Sequence, residues 1–486
     1  MSIKTLSLDV SFYGLLGFLQ RSVGVIMVPV YTRALSQKEY GELDIILICS
    51  SVLCILVDLQ FVAGFSRLYY EHRAAGKGGR FAGTAIVSRL IGSIAIASAF
   101  LALGFLGHIE FNFLPSFKGH TTVWILAVIT IPLSLTYEIL LLQTQMLRWK
   151  KWFALGALSN CFLTCVFSAF FVTVLKWGIV SIVMGVLLGV LVGLLVLGWG
   201  LRKEVVLCVD ARPFKELIRY TWPLIPGWWL AFGSAYLSRF VIFSQLGSDQ
   251  NAILAVCMKI AGVIGMLAAC FQMAWQPLAM AHIEHASGEV FYVRSMRLFI
   301  AGGILVIFGL TMFLGPILTV LTPTSYGVIK YYFPLFAVGT LLSGCADNLQ
   351  LGHQIAKTTY WISISAIISF VINLVILIVC TKSYGIFAAG FAWIVSFAVK
   401  DIILYFTAQK SYYIAYDKKS FVLLGLGCGL LLLLGFGNYS QHITGWIFTG
   451  CIASIGVVLS WFVMAPFERK AILEFVGNRV LGRICG

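Results

Sequence analysis

Charge is scarce in this chain. Only 11% of its 486 residues are Asp, Glu, Lys or Arg, against about 25% in soluble domains. With 60% hydrophobic residues and a mean hydropathy of +0.96, this excludes a soluble globular protein. Acids are the scarcer sign, 19 against 34 Lys and Arg, and no loop carries the acidic cluster a membrane glycosyltransferase uses to hold its metal. Twelve cysteines never form a CxxC pair, which argues against a zinc site or disulfide framework. A phosphate loop is missing too: Ala75-Gly76-Lys77-Gly78-Gly79 lacks the first glycine and the closing Ser or Thr, so ATP hydrolysis is not expected. His282-Ile283-Glu284-His285 has the wrong spacing for a zincin helix, and Gly425-Leu426-Gly427-Cys428-Gly429 lies inside an apolar run and reads as helix packing. No cofactor or metal is expected, nor is the chain expected to be an enzyme.

What the chain has is long apolar runs. About 20 such residues cross the hydrocarbon core as a helix, and fourteen runs qualify: 11–32, 42–64, 82–106, 121–145, 153–175, 178–200, 220–245, 251–279, 298–320, 331–353, 359–380, 384–407, 420–437 and 444–464. The fold class is therefore an all-α polytopic membrane protein with about 14 transmembrane helices. The first run carries Arg21 and lacks a small-residue cleavage site, so it is expected to be a retained helix, not a signal peptide.

The net charge of +15 is distributed by side. Assigning alternate loops to each face of the membrane puts 23 Lys and Arg on the side of the termini. The other face receives six, namely Arg33, Lys38, Lys118, Lys176, Lys330 and Lys382, and five remain inside the runs. This positive-inside bias places both termini in the cytoplasm. It makes membrane lipids, not nucleic acid, the partners of the basic residues.

The chain also repeats itself. At an offset of 207, Leu142-Gln143 falls on Leu349-Gln350, Lys150 on Lys357, and Gly178-Ile179 on Gly385-Ile386. At 211, Leu35 and Leu43 fall on Leu246 and Leu254. Six runs per copy keep the two copies in the same orientation, so the expected architecture is two six-helix lobes related by a pseudo-two-fold axis along the membrane normal. The domains are then an N-lobe over 1–200, a cytoplasmic linker over 201–219 and a C-lobe over 220–410. Two further helices occupy 411–464, and a basic cytoplasmic tail 465–486. Such lobes suit alternating access to a central cleft.

Five bases, Arg21, Arg89, Arg239, Lys259 and Lys400, and five acids, Asp44, Asp58, Glu138, Asp347 and Asp401, lie inside the runs. Intramembrane charges are costly and mark polar cavities or ion pathways; the alternative at each position is a structural pair within one lobe. Arg21 lies deepest, on a helix with Ser11, Gly14, Gly17, Gln20, Ser22 and Gly24, and arginine grips phosphate bidentately. Arg21, Arg89, Arg239 and Lys259 are the candidates for binding an anion; Asp58, Glu138 and Asp347 are the candidates for ion coupling. Tyr220-Thr221-Trp222-Pro223-Leu224-Ile225-Pro226-Gly227-Trp228-Trp229 predicts a broken helix, and Trp222 with Gln272 and Gln276 forms a candidate cavity entrance.

Gly24-Val25-Ile26-Met27-Val28-Pro29-Val30-Tyr31-Thr32-Arg33-Ala34-Leu35-Ser36-Gln37-Lys38-Glu39-Tyr40-Gly41 resembles the opening of bacterial polysaccharide (Wzx-type) flippases, in which an apolar helix ends in a Pro-x-x-Thr-Arg-x-Leu-Ser turn. Phe65-Ser66-Arg67-Leu68-Tyr69-Tyr70-Glu71 is similar to their segment entering the first cytoplasmic loop, and Gln350 through Lys357 with Tyr384-Gly385-Ile386 resembles their signature near the eleventh helix. The resemblance implies a member of the multidrug/oligosaccharidyl-lipid/polysaccharide exporter superfamily. Such a protein flips undecaprenyl-pyrophosphate-linked oligosaccharide from the cytoplasmic to the outer leaflet of the bacterial inner membrane. It further implies Arg21 as a pyrophosphate ligand, Arg67 at the cytoplasmic entrance, H+ or Na+ as coupling ion, and a polysaccharide polymerase as partner. One departure is Ser238-Arg239 where many relatives carry Asp-Arg. The alternatives are a drug/cation antiporter of the same superfamily, which would want a net acidic lobe, and a membrane glycosyltransferase or polymerase, which would want a larger outer loop than 107–120.

The topology makes the first prediction. With the 65–81 and 201–219 loops inside, a cysteine at Gly78 in an otherwise cysteine-free chain is expected to stay unlabelled by an impermeant thiol reagent in intact cells. Labelling there would reverse the assignment.

Overall fold

The computed structural model describes residues 12, 16–20, 22–106, 119–222, 225–281, 288–356, 358, 360–436, 454–466 and 468–469. These are mostly helical, with no strand among them. From the N-terminus the helices are α1 (Val28–Ala34), α2 (Gln37–Asp58), α3 (Phe61–Ala74), α4 (Gly78–Phe105), α5 (Thr121–Met146) and α6 (Lys150–Phe170), the last followed by a π-turn (Phe171–Leu175). Then come α7 (Ile179–Leu201), α8 (Ala211–Thr221), α9 (Ile225–Leu246), α10 (Ser248–Ala281), α11 (Gly288–Met312) and α12 (Leu314–Leu321). The chain continues through α13 (Ile329–Leu349), α14 (Leu351–Ile355), α15 (Tyr360–Tyr384), α16 (Ile386–Ser411) and α17 (Lys418–Phe436) to the short α18 (Ser454–Val463). Among the described residues nine helices are long and apolar enough to cross a membrane. Three more, α9, α13 and α17, have 22, 21 and 19 residues, within the range that spans hydrocarbon. The chain is a multi-pass membrane protein.

Several runs are split where a single helix is expected: 298–320 at Phe313, between α11 and α12, 331–353 at Gln350, between α13 and α14, and 42–64. The stretch 42–64 is not a single helix: it breaks between α2 and α3, where Leu59 and Gln60 take left-handed backbone at φ 44° and 60°. No proline or glycine occupies the break.

The chain divides into two compact units. The first comprises 1–256 with 321–323 and 374–389; the second comprises 257–320, 324–373 and 390–486. That boundary falls within α10, not in the 201–219 segment at which the sequence repeat divides. The reason is local to the first unit, where α9 and the start of α10 are bound to α2. The Gly41 Cα approaches Ser248 so closely that a Cβ there would lie 1.9 Å from the Ser248 carbonyl oxygen. Asn251 donates to the Gly41 carbonyl at 2.9 Å, and Gln37 to that of Asp249 at 3.1 Å. Under the offset of 211, Gln37 is the counterpart of Ser248 and Gly41 that of Ala252, so equivalent loops of the two copies touch each other.

The motif that opens the chain now has a physical reading. Pro29 sits in the first turn of α1, where its missing N–H costs nothing. Thr32 donates to both Val28 and Leu321 carbonyls, at 2.8 and 3.0 Å. Ser36 caps α2 and exchanges hydrogen bonds with Glu39 in a capping box, while Tyr40 is buried. The repeat is also visible in the backbone: Gly178 before α7 and Gly385 before α16 both adopt positive φ, 61° and 59°, a region glycine enters without Cβ strain.

Small residues set the helix spacing. Gly185, Gly189 and Gly193 form one face of α7 against α6; a Cβ at either of the first two would sit 2.0 Å from the hydroxyl of Ser168 or Thr164. Without a hydrophobic drive between helices in lipid, such close backbone approach supplies the van der Waals contact. Residues 204–210 run along the start of α4, with Val206 N–H donating to Gly79 O and Asp210 N–H to Thr84 Oγ1, both at 3.2 Å. α8 follows, capped by Asp210, with Leu217 and Thr221 buried against Gly64 of α3 and Glu216 3.2 Å from His72.

In the second unit, Glu468 is buried and reached by Arg297 and Arg294 at 3.8 and 3.5 Å. His353 is held between the hydroxyls of Thr358 and Thr407, each at 2.9 Å.

Gly83 tests the linker packing. A Cβ there would lie 1.8 Å from Val206 O, whereas one at Gly92 on the same helix meets nothing within 4 Å. Overpacking costs about 1–3 kcal/mol, so Gly83→Ala is expected to lower the unfolding temperature in detergent by several degrees while Gly92→Ala leaves it unchanged. Equal shifts would show that residues 204–210 do not pack on α4.

Candidate functional site: a charged cluster at a break in a membrane helix

α2 ends at Asp58, and the two left-handed residues that follow turn the chain into α3. Non-glycine residues in this conformation cost of order 1 kcal/mol or more each, and strain of this kind concentrates at functional sites. Facing the break from α4 is Arg89, only 2% exposed. Its Nη2 donates to Glu138 Oε2 of α5 at 2.7 Å and is paired with Asp58 Oδ1; its Nη1 donates to the Leu135 carbonyl at 3.0 Å. The Nε is buried without a hydrogen-bond partner.

One guanidinium thus faces two carboxylates. An unpaired charge at this depth costs at least about 2.5–3.5 kcal/mol, so Arg89 and its acids are mutually necessary. With both acids ionised the cluster has one excess negative charge. The acids are not equivalent: the Asp58 side chain is 13% exposed and that of Glu138 54%. The broken helix also leaves α2's terminal carbonyls, the negative end of its dipole, beside the cluster. This is an arrangement in which one more positive charge restores neutrality.

The other candidates are dispersed. Arg21 lies outside the described residues. Arg239 of α9 pairs with Asp44 of α2 at 2.6 Å, and Asn251 donates to the same carboxylate at 3.4 Å. Arg67 is exposed on α3 and pairs with Glu71 one turn on. Trp222 is exposed at the end of α8. Lys259, Gln272 and Asp347 belong to the second unit. Lys259 is half-buried, the Gln272 amide nitrogen is buried without a hydrogen-bond partner, and Asp347 accepts from Gln350 at 3.3 Å, with Lys400 its interacting cation. The side chain of Gln276 lies outside the described part. Among the described candidates, then, Arg89, Asp58 and Glu138 meet within the first unit. Among the described residues no group of three or more His, Cys, Asp or Glu could hold a metal ion.

Sequence reasoning missed the left-handed break at Leu59-Gln60 and the tethering role of Asn251. Nothing in the local sequence marks the first. The second had a weak signal, an amide beside the loop that the 211 offset aligns with Ser36 through Gly41.

The fold has solved counterparts. A lipid II flippase, MurJ, in an inward closed conformation matches 95% of this chain and 100% of its own, at a TM-score of 0.73 and 14% identity. An inward-facing multidrug resistance MATE transporter of the MOP superfamily matches 80% of this chain and 94% of its own, at 0.64 and 12%. A MOP superfamily transporter from Pyrococcus furiosus, described as having a binding pocket of reverse polarity, matches 87% and 96%, at 0.55 and 11%. At these identities the likeness concerns fold alone. No curated protein matches the sequence. The sequence profile described as "Polysaccharide biosynthesis protein" matches residues 7–282, more than half of the chain, and the protein belongs to that family.

Proposed function

We propose that the protein is a flippase that carries undecaprenyl-pyrophosphate-linked oligosaccharide from the cytoplasmic to the outer leaflet of a bacterial inner membrane, both termini being cytoplasmic. The observation that carries this reading is the conjunction of family membership with arginines inside the spans. A pyrophosphate bears about two negative charges that hydrocarbon excludes, while a polyprenol tail prefers lipid. A cationic cleft lets the head group cross with the tail left outside. Arg21 is the principal pyrophosphate ligand, supported by Arg239 and Lys259; Trp222, Arg67, Gln272 and Gln276 line the entrance. A polysaccharide polymerase consumes the product.

Arg89 takes a different role from the one its type suggested. With its guanidinium committed to Asp58, Glu138 and Leu135 O, it serves as a fixed counter-charge in a coupling site. H+ or Na+ binding at Asp58 or Glu138 competes with Arg89 for the carboxylates and frees α2 and α3 to move about their break. Asp347 is a second candidate for coupling, in the other unit. The reaction is transport without covalent chemistry.

Arg21→Ala is expected to abolish flipping while the protein still inserts, so that lipid-linked oligosaccharide accumulates on the cytoplasmic leaflet; Arg21→Lys should recover only part, because a point charge replaces a bidentate fork. Leaflet-specific labelling of the lipid-linked sugar checks it. Undiminished outer-leaflet sugar in Arg21→Ala would remove this residue from the substrate site. A further outcome concerns Arg89: Arg89→Ala leaves the largely buried Asp58 carboxylate without its counter-charge, and breaking such a pair costs about 3–5 kcal/mol. It should therefore cut the yield of folded protein in detergent, and Arg89→Ala with Asp58→Asn should restore part of that yield. No restoration would break the link between these side chains.

A further inference from the structure

The face of the first unit that carries Arg33 and Lys176 holds a groove of about 710 Å³, lined by Pro29, Val30, Arg33, Glu39, Thr173 and Lys176 among others. The loops between the first and second and between the fifth and sixth runs meet there, as the alternation of loops requires for two outer segments. Three features set the groove apart. The charge bias leaves only six basic residues on this side of the chain, and two of them line this one cavity.

The second feature is a shaped backbone. α6 ends in a π-turn, Lys176 takes φ 53° and Gly178 φ 61°, and Thr173 is tied back to the Ala169 carbonyl at 2.7 Å. Trp177 is exposed and stacks on Phe171 at 5.2 Å, which suits the head-group level of a bilayer where tryptophan concentrates. The third is the division of polarity: Pro29, Val30 and Val172 give apolar walls, and exposed Ile26, Val174 and Leu175 continue them onto the outer surface. The acid in the groove, Glu39, is occupied: its Oε2 accepts from Ser36 N and Oγ at 2.9 and 2.8 Å. Among the lining residues Arg33 and Lys176 are two cations to one acid, which suits an anionic head group.

We propose that this groove binds the phosphate head group of an anionic outer-leaflet phospholipid, with an acyl chain along the apolar walls. Lipid binding there needs neither substrate nor turnover, so the proposal stands or falls independently of the flippase reading. A bound lipid would bridge the end of α1 and the turn after α6.

The test reconstitutes the full chain, with a photoreactive benzoylphenylalanine in place of Val30, into vesicles of phosphatidylglycerol and phosphatidylcholine, and identifies the lipid adducts by mass. Phosphatidylglycerol is expected to dominate the adducts beyond its share of the vesicle. Arg33→Gln with Lys176→Gln should reduce its yield by at least about fivefold, since each cation near an anionic surface contributes to lipid attraction. A photoprobe at the exposed Leu195 of α7 should show neither the preference nor the loss. Adducts in simple proportion to vesicle composition, or an unchanged yield in the double variant, would overturn the proposal. Should the Val30 substitution fail to fold, Thr173 offers a second position in the groove with the same expected outcomes.

Discussion

A guanidinium in hydrocarbon has to bring its counter-charge with it, and much of the first unit is arranged around meeting that demand for Arg89. α2, α4 and α5 converge so that Asp58, Arg89 and Glu138 come within hydrogen-bond distance. To deliver Asp58 there, α2 has to stop, and the chain accepts left-handed backbone at Leu59 and Gln60 to do so. In water such a cluster would contribute little; inside a membrane each partner becomes costly without the others. With two acids for one base, the cluster carries one excess negative charge when both acids are ionised.

A second ion pair works the same way at the other end of α2. Asp44 and Arg239, with Asn251 on the same carboxylate, bind α9 and the start of α10 to the first unit. One helix thus carries a charge pair near each end, and its glycine at 41 allows backbone contact with Ser248. The charges that seemed to advertise a substrate site in the sequence are, for Arg89 and Arg239, already paired with carboxylates of the first unit. This shifts the burden of anion binding in the proposed mechanism toward Arg21.

Most of the helical plan was legible because hydrocarbon thickness sets run length, and length survives in sequence where amphipathic periodicity does not. The repeat was legible at Gly178 and Gly385 because a positive φ favours glycine and so often leaves a trace. The break after Asp58 was not, because strain imposed by tertiary contacts needs no breaker residue. Pairing partners were equally hidden: the ten intramembrane charges were countable, but Arg89 finds Glu138 49 positions away and Arg239 finds Asp44 195 positions away. Only packing decides such matches.

The central claim is that Asp58 and Glu138 make the Arg89 cluster a cation-sensitive coupling element. It is tested most directly by translocation of lipid-linked oligosaccharide in proteoliposomes with imposed proton or sodium gradients, comparing the unaltered protein with Asp58→Asn and Glu138→Gln. The account predicts gradient-stimulated flipping in the first. In at least one variant it predicts loss of that stimulation with substrate binding near normal. Equal rates with gradients imposed and collapsed would contradict it, and would leave a facilitated flippase driven by consumption of its product.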